Sequence, residues 1–261
     1  MSKQADTVFA EVRLQELLSV INTQGRVRVN DLCKQFNVTP ATIRKDLTRL
    51  EESGLIRRVH GGAISLAENA NLELTSREKV GIHTGKKQDI ARRACKYVKP
   101  GRVIALDSGT TTMELAKLIC NIPDLTVITN DLTIALYLEK NARHTVILLG
   151  GTVRTDFHCT VGSAVLQMLD GLHIDTVFLG TNAIDADWGL STPNMEMANV
   201  KSKLIQNSRR VVLLADSSKF GRVSLARFAK LEQVAVLVTD ADADPEVLDS
   251  LRNMDIEVCT E

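Results

Sequence analysis

The sequence has few aromatic residues and no net charge. Phe, Trp and Tyr make up 3% of its 261 residues, too few for the aromatic surfaces that stack the bases of RNA or single-stranded DNA. The formal net charge is +0, with 32 basic and 32 acidic residues. Attraction to a polyanion therefore has to come from local clusters of basic residues, and such clusters lie before residue 65.

Cysteine and histidine are present, but not in metal-binding patterns. The five cysteines are scattered without a C-x-x-C pair, and the five histidines show no ligand spacing. We expect reduced thiols packed as small hydrophobic side chains, with no metal and no cofactor. Residues 1–13 lack the apolar core of a signal peptide, and no apolar stretch approaches about 18 residues. These absences predict a cytoplasmic protein that does not contact a membrane.

Residues 25–64 contain the strongest local pattern in the chain. Thr39 can cap a helix that begins at Pro40, a residue suited to the first helical position. Ile43, Leu47 and Leu50 share one stripe of this helix, so its opposite face is basic and carries short side chains. A short helix over 31–36, capped by Asn30, precedes it at helix-turn-helix spacing.

A basic hairpin follows this helix. Gly54 is expected to end the helix, and residues 55–64 predict two short strands around a Gly-Gly turn. Such a hairpin forms a wing whose cations reach DNA phosphates or the minor groove. The alternative is a small helical bundle whose basic face is only solvated. The residues expected to contact double-stranded DNA are Thr39, Ala41, Thr42, Arg44, Lys45, Thr48, Arg49, Arg57, Arg58 and His60.

This segment closely resembles the N-terminal DNA-binding domain of the DeoR family of bacterial transcriptional regulators. The resemblance covers roughly the first quarter of the chain and rests on specific motifs. They are Arg13 to Leu18, Gly25, Val29, Leu32, Phe36-Asn37-Val38-Thr39, Thr42-Ile43-Arg44-Lys45-Asp46-Leu47, Leu50-Glu51, Gly54 and Arg58-Val59-His60-Gly61-Gly62-Ala63.

The rest of the chain alternates short apolar runs with amphipathic helical stretches. The runs are 103–106, 125–129, 145–149, 176–179, 210–214 and 234–238. This alternation predicts an α/β domain with a mainly parallel sheet covered on both faces. We expect a winged helix-turn-helix domain over 1–65, a polar linker over 66–80 and the α/β domain over 81–261.

Polar residues cluster where the predicted strands end, which is where open parallel sheets bind ligands. The turn Asp107-Ser108-Gly109-Thr110-Thr111 opens a helix and offers N–H groups and hydroxyls to a phosphate. Asp107 can take a sugar hydroxyl or simply cap the turn. The loop lacks the Gly-Lys-Ser/Thr ending of a nucleotide-hydrolysing P-loop. Further expected ligand residues are Thr129, Asn130, Gly150, Gly151, Asn182, Lys201, Asp216 and Lys219.

Residues 77–240 resemble the effector-sensing domain of the DeoR family, whose fold is similar to ribose-5-phosphate isomerase and glucosamine-6-phosphate deaminase. The resemblance implies a repressor that binds a phosphorylated sugar and then releases its operator. The family's phosphosugar motif maps onto residues 107–111, Gly150-Gly151, Asp216 and Lys219. Leu74 and Asn182 depart from the family pattern, and Asn182 is expected to contribute to effector choice.

Two other functions compete with the repressor. The chain could be a phosphosugar isomerase or deaminase with a DNA-binding appendage, or it could activate transcription. Catalysis needs a positioned general base, and neither Asp185 nor Asp187 lies in a recognisable enzyme signature. We therefore expect a regulator without enzymatic activity, acting as a homo-oligomer, either a dimer or a tetramer.

Overall fold

The computed structural model describes residues 2–24, 26–53, 55–59, 61–65 and 73–260. The chain folds into two compact units, residues 1–72 and 73–261. Part of the expected linker, 66–72, lies outside the described residues. Its remainder belongs to the second unit, because the Ser76 amide donates to the Asp156 carbonyl at 3.0 Å and the Ser76 hydroxyl donates to the Phe157 carbonyl at 2.8 Å.

The first unit is a three-helix domain with a small antiparallel sheet in the strand order β1-β3-β2. Its core consists of apolar side chains that are fully buried or nearly so, including Leu17, Leu32, Ile43, Leu47 and Ile56. The elements are α1 (Ser2–Gln24), β1 (Arg26–Arg28), α2 (Val29–Phe36), α3 (Pro40–Glu52), β2 (Ile56–Val59) and β3 (Gly62–Ser65).

The helix-turn-helix forms largely as predicted. The Thr39 hydroxyl accepts from the Thr42 amide at 3.3 Å, which confirms Thr39 as the cap of α3. The expected Asn30 cap is wrong: α2 begins at Val29, and Arg28 holds the cap position without a side-chain bond. The helix starts earlier because the buried Val29 packs with β1 and α3 in the core. Gly54, the expected stop of α3, lies outside the described residues.

The second unit contains a seven-stranded sheet in which every neighbouring pair is parallel. The strand order is β15-β14-β12-β9-β4-β5-β6. Its strands are β4 (Val103–Leu106), β5 (Thr126–Thr129), β6 (Thr145–Leu148), β9 (Ile174–Gly180), β12 (Ser208–Leu214), β14 (Val236–Val238) and β15 (Glu257–Cys259).

Helices cover both faces of this sheet, so the predicted α/β architecture is confirmed. One face packs against α5 (Thr84–Ala94), α6 (Thr110–Ile119) and α7 (Leu132–Asn141). The other face packs against α8 (Ser163–Leu169), α9 (Met195–Gln206) and α10 (Pro245–Arg252). A five-residue helix, α4 (Ser76–Val80), precedes them. No described helix is long and apolar enough to cross a membrane.

Two small antiparallel sheets, which were not predicted, add to the second unit. One is the hairpin of β7 (Thr152–Arg154) and β8 (Cys159–Val161). The other pairs β10 (Ala183–Asp185), β11 (Gly189–Thr192) and β13 (Ala226–Ala229). Three short 3₁₀ helices, Cys95–Tyr97, Ser217–Lys219 and Leu231–Gln233, complete the unit.

Candidate DNA-contacting surface and anion-binding cavity

Helix α3 presents the basic face that its sequence predicts. Ile43, Leu47 and Leu50 are buried, so the opposite face of the helix points outward. The predicted contact residues Thr39, Ala41, Arg44, Lys45 and Arg49 are exposed, and Thr42 is half-buried. A basic helix face with short side chains can approach a duplex closely enough for its cations to reach phosphates.

Asp46 does not belong to this basic face. Its carboxylate is 2% exposed and accepts from the Arg13 guanidinium at 2.7 and 3.4 Å. The hydrogen bond with Asp46 raises the pKa of Arg13 above its ordinary value. This ion pair ties α3 to α1 and keeps a negative charge away from the outward face.

The wing is joined directly to α3. The Arg58 amide donates to Glu51 Oε1 at 2.8 Å, and its guanidinium donates to Thr48 Oγ1 at 3.0 Å. Arg57 and Arg58 are both exposed, and Thr48 is half-buried. Thr48 thereby positions the wing arginine. His60, also predicted to contact DNA, lies outside the described residues.

A groove between the wing and the helices adds a basic residue that the sequence did not indicate. Arg28 and Arg44 both line this groove, together with Gly61 and Gly62 of the wing turn. Arg28 comes from the strand that pairs with β3. The alternation of residues 26–29 predicts a strand that pairs with the wing, and this pairing places Arg28 in the groove.

In the second unit a small cavity gathers three cations beside the N-terminus of α6. Its volume is about 40 Å³, room for roughly three water molecules. The cations are Lys79, Arg154 and Lys201. The other lining residues are Glu73, Ser76, Ser108, Gly109, Thr110, Phe157, Cys159, Asn182, Thr192 and Met197. Five of the predicted effector residues, Ser108, Gly109, Thr110, Asn182 and Lys201, are therefore brought together.

Asp107 lies behind the cavity wall and orients Lys201. Its carboxylate is fully buried, and Oδ2 accepts from Lys201 Nζ and from the Gly180 amide, the latter at 3.0 Å. Lys201 Nζ also donates to the Gly180 carbonyl at 3.0 Å. Breaking such a buried pair would leave an uncompensated charge, which is costly. The pair therefore stays formed, and Asp107 holds Lys201 in its position at the cavity.

The remaining predicted effector residues do not line this cavity. Thr111 is half-buried in the first turn of α6, and Thr129 Oγ1 accepts from the Asp131 amide at 3.0 Å. Asn130 is fully buried and donates to the Thr160 carbonyl at 2.9 Å. Gly150 donates its amide to Met168 Sδ at 3.0 Å, and Gly151 packs closely against β8 and α8.

Asp216 and Lys219 form a neighbouring polar group. Asp216 caps the short helix Ser217–Lys219 by accepting from the Ser218 amide at 3.0 Å. Burial raises the pKa of Asp216, but Lys219 and Ser218 outweigh it, so the pKa lies below its ordinary value. Lys219 Nζ stands 4.0 Å from Asp216 Oδ2. Among the described residues, neither belongs to the cavity wall.

Besides Lys79, two further lysines, Lys86 and Lys87, lie in this region. Burial lowers the pKa of Lys79 to about 8 and that of Lys87 also to about 8. Lys87 Nζ donates to the Lys79 carbonyl, so the two are neighbours. Lys86 instead bonds Asp240 and Asp242 at 2.8 and 2.7 Å. Burial therefore disfavours the charged form of both Lys79 and Lys87.

A second, larger cavity of about 430 Å³ lies beside the first. The two share Ser76, Gly109 and Thr110 in their walls. The larger one also contacts apolar groups of Val80 and Met113. Its volume falls in the usual range for small-molecule pockets, about 300–1,000 Å³.

Asp185, considered from the sequence as a candidate general base, lines neither cavity. Asp185 Oδ1 accepts from the Asp187 and Trp188 amides at 3.0 and 2.7 Å, so it stabilises the turn between β10 and β11. Within the described part of the chain, no group of three His, Cys, Asp or Glu side chains could hold a metal ion. The five cysteines form no disulfide with one another.

Comparison with known families identifies both units. Residues 82–241 match the DeoR C terminal sensor domain, and residues 13–69 match the DeoR-like helix-turn-helix domain. The chain belongs to the DeoR family. The resemblance noted from the sequence is therefore confirmed over both parts of this DeoR-family regulator.

Relatives of this DeoR-family chain match along nearly their whole length. The HTH-type transcriptional regulator GlpR of Haloferax volcanii is 35% identical over 246 residues, covering 94% of each chain. The glycerol-3-phosphate regulon repressor of Escherichia coli K12 is 31% identical over 245 residues, covering 93% of this chain and 96% of that protein.

Among solved structures, ribose 5-phosphate isomerase from Plasmodium falciparum is 18% identical, with a TM-score of 0.39, covering 52% of each chain.

Proposed function

We propose that this protein is a transcriptional repressor of an operon for catabolism of a sugar or sugar derivative, and that a phosphorylated sugar-type effector releases it from its operator. The observation that carries the proposal is the convergence of Lys79, Arg154 and Lys201 on the Ser108-Gly109-Thr110 turn. Cations and helix N-terminal amides together form a phosphate site. The basic face of α3 provides the surface that binds the operator.

The phosphoryl group of the effector occupies the small cavity. That cavity is too small for a whole sugar phosphate, and the larger cavity shares three residues with it. The sugar part extends along Gly109 and Thr110 into the larger cavity, whose wall contains both polar and apolar groups. Asn182 lies at the wall of the small cavity, and it contributes to the choice of effector.

Operator contacts come from α3 and the wing. Arg44, Lys45, Arg49, Arg57 and Arg58 supply phosphate contacts, which set the register on the duplex. The small side chains Thr39, Ala41 and Thr42 stand at the N-terminal end of α3, the end that reads base edges in helix-turn-helix proteins.

The test uses a duplex selected by the protein from a random pool. Lys45→Ala and Arg58→Ala are each expected to reduce the slope of log affinity against log salt by about 0.9. Arg92→Ala serves as the control, because Arg92 pairs with Asp89 at 2.6 Å on α5, and its slope should equal that of the wild type. Unchanged slopes in both variants would overturn the DNA-binding surface.

The effector is tested on the same duplex with a panel of sugar phosphates and their unphosphorylated sugars. At least one phosphorylated compound is expected to weaken DNA binding by about 5- to 150-fold, the usual range of allosteric coupling, while its sugar does not. Turnover of any panel member would favour the isomerase-like enzyme. A reporter gene whose expression falls when the protein is deleted would favour an activator.

A further inference from the structure

The cavity already holds a carboxylate of this chain. Glu73 accepts from the Arg154 guanidinium through both oxygens, at 3.2 and 2.7 Å. Both side chains are 14% exposed, so the pair is largely shielded from water. Arg154 also stacks on the Phe157 ring at 4.0 Å, which fixes the plane of the guanidinium.

The same guanidinium geometry suits a phosphoryl group. A planar guanidinium binds carboxylates and phosphates alike through two parallel hydrogen bonds. Lys79 and Lys201 line the same cavity. Glu73 occupies the edge of the guanidinium formed by Nη1 and Nη2. A phosphate that binds Arg154 through this edge therefore takes the position of the Glu73 carboxylate.

The charges favour this exchange. Three cations, Lys79, Arg154 and Lys201, are balanced by two carboxylates, Glu73 and the buried Asp107. One positive charge remains while Glu73 occupies the site. A phosphate monoester carries about −1.5 to −2 at pH 7, so replacing Glu73 by such a group brings the cavity close to neutrality.

Glu73 also lies at the sequence boundary between the two units. It is the first residue of the second unit, and residues before it lead to the DNA-binding unit. The segment that it begins is attached to the β7–β8 turn through Ser76, which bonds Asp156 and Phe157. Loss of the Glu73–Arg154 pair removes the first of these attachments.

We propose that Glu73 is an internal competitor for the anion cavity and that an effector phosphate displaces it from Arg154, which frees the start of the sensor unit and weakens operator binding. The inference rests on the proposed function, because it assumes that the effector is phosphorylated. It assigns Arg154 as the principal phosphate ligand and the segment from residue 73 as the coupling element.

Inorganic phosphate is the probe, and binding is measured by calorimetry on the full chain. Glu73→Gln keeps the shape of the side chain and removes its charge. This variant should bind phosphate about tenfold more tightly than wild type, since an occupied site reduces apparent affinity by the fraction that is competent. Arg154→Gln should bind at least about tenfold more weakly. Asp89→Asn, which breaks the exposed pair with Arg92, is the matched control and should bind like wild type.

Hydrogen exchange provides the second readout, because it separates competition from a purely structural role. Phosphate should speed exchange of the Ser76 amide in the wild type, and Glu73→Gln should show this faster exchange without phosphate. Equal phosphate affinity in wild type and Glu73→Gln would overturn the competition. Equal affinity in wild type and Arg154→Gln would overturn the assigned ligand. Absence of phosphate binding in all four proteins would instead overturn both this inference and the phosphorylated effector.

Discussion

Lys79 lines the cavity proposed for the effector phosphate, and its pKa is lowered. Burial lowers its pKa from 10.5 to about 8, although Glu73 opposes this effect. In the free protein Lys79 is therefore charged below pH 8 and becomes neutral above it. An anion in the cavity needs the charged form, so binding and protonation are linked.

Phosphate affinity is therefore expected to fall as the pH rises above 8, by up to about tenfold per pH unit. The probe does not cause this fall, because inorganic phosphate only gains negative charge as the pH rises. Lys79→Arg is the matched variant, since a guanidinium stays protonated there. It should retain its affinity to pH 9.5 in calorimetric titrations. Identical pH profiles for Lys79→Arg and wild type would contradict the role of Lys79.

At the level of residues, the sequence predicts those cavity residues that belong to a recognisable local motif. The turn Ser108-Gly109-Thr110 opens a helix after a strand, so local pattern alone placed it at the ligand edge. Lys79 and Arg154 have no such pattern around them. They meet the turn through contacts between segments about 80 residues apart, such as Ser76 with Phe157, and single-sequence reasoning does not reach those contacts.

At the level of elements, most strands of the parallel sheet were predictable from their apolar runs, and the strands of the small antiparallel sheets were not. β4, β5 and β12 lie on continuous apolar runs, because a parallel sheet is buried on both faces. β7, β8 and β10 have three residues each, too few to show a period. α4 has five residues and is held by tertiary bonds, so its polar sequence was interpreted as linker.

The glycine pair after β6, predicted from the sequence to bind the effector, includes one position at which packing also excludes a side chain. An added Cβ at Gly151 would lie 2.5 Å from the Val161 carbonyl oxygen and 2.7 Å from Val165 Cγ2. At Gly150 the nearest atom would be Met168 Sδ at 3.5 Å, an ordinary contact. The absence of a side chain at Gly151 is thus explained by the close approach of β8 and α8.

Gly151→Ala is expected to destabilise the protein by about 1–3 kcal/mol, the usual cost of overpacking. Gly150→Ala should change the free energy of unfolding by less than about 0.5 kcal/mol. Urea denaturation of both variants measures these values, and each folded variant should still bind phosphate. Loss of phosphate binding in folded Gly150→Ala would instead support the ligand role that the sequence predicts.

At the level of the whole molecule, one DNA-binding unit is too small to select an operator. A single helix-turn-helix contacts one half-site, and specific sites are read by dimers whose two-fold symmetry matches the DNA. The second unit carries exposed apolar side chains that a second copy could cover. These are Leu136, Val153, Met195 and Leu225, which are 55%, 54%, 67% and 64% exposed.

We therefore expect the protein to sediment as a dimer or a larger homo-oligomer at micromolar concentration. On a duplex with two half-sites, two chains should bind each DNA molecule. A duplex with one half-site should bind far more weakly, because each mismatched base pair costs about 1–3 kcal/mol and half of the site is wrong. Lys45→Ala should keep the oligomeric state while weakening DNA binding, since Lys45 is exposed on α3 of the first unit. A monomer both free and on the paired site would contradict this expectation and would mean that one winged helix selects the operator alone.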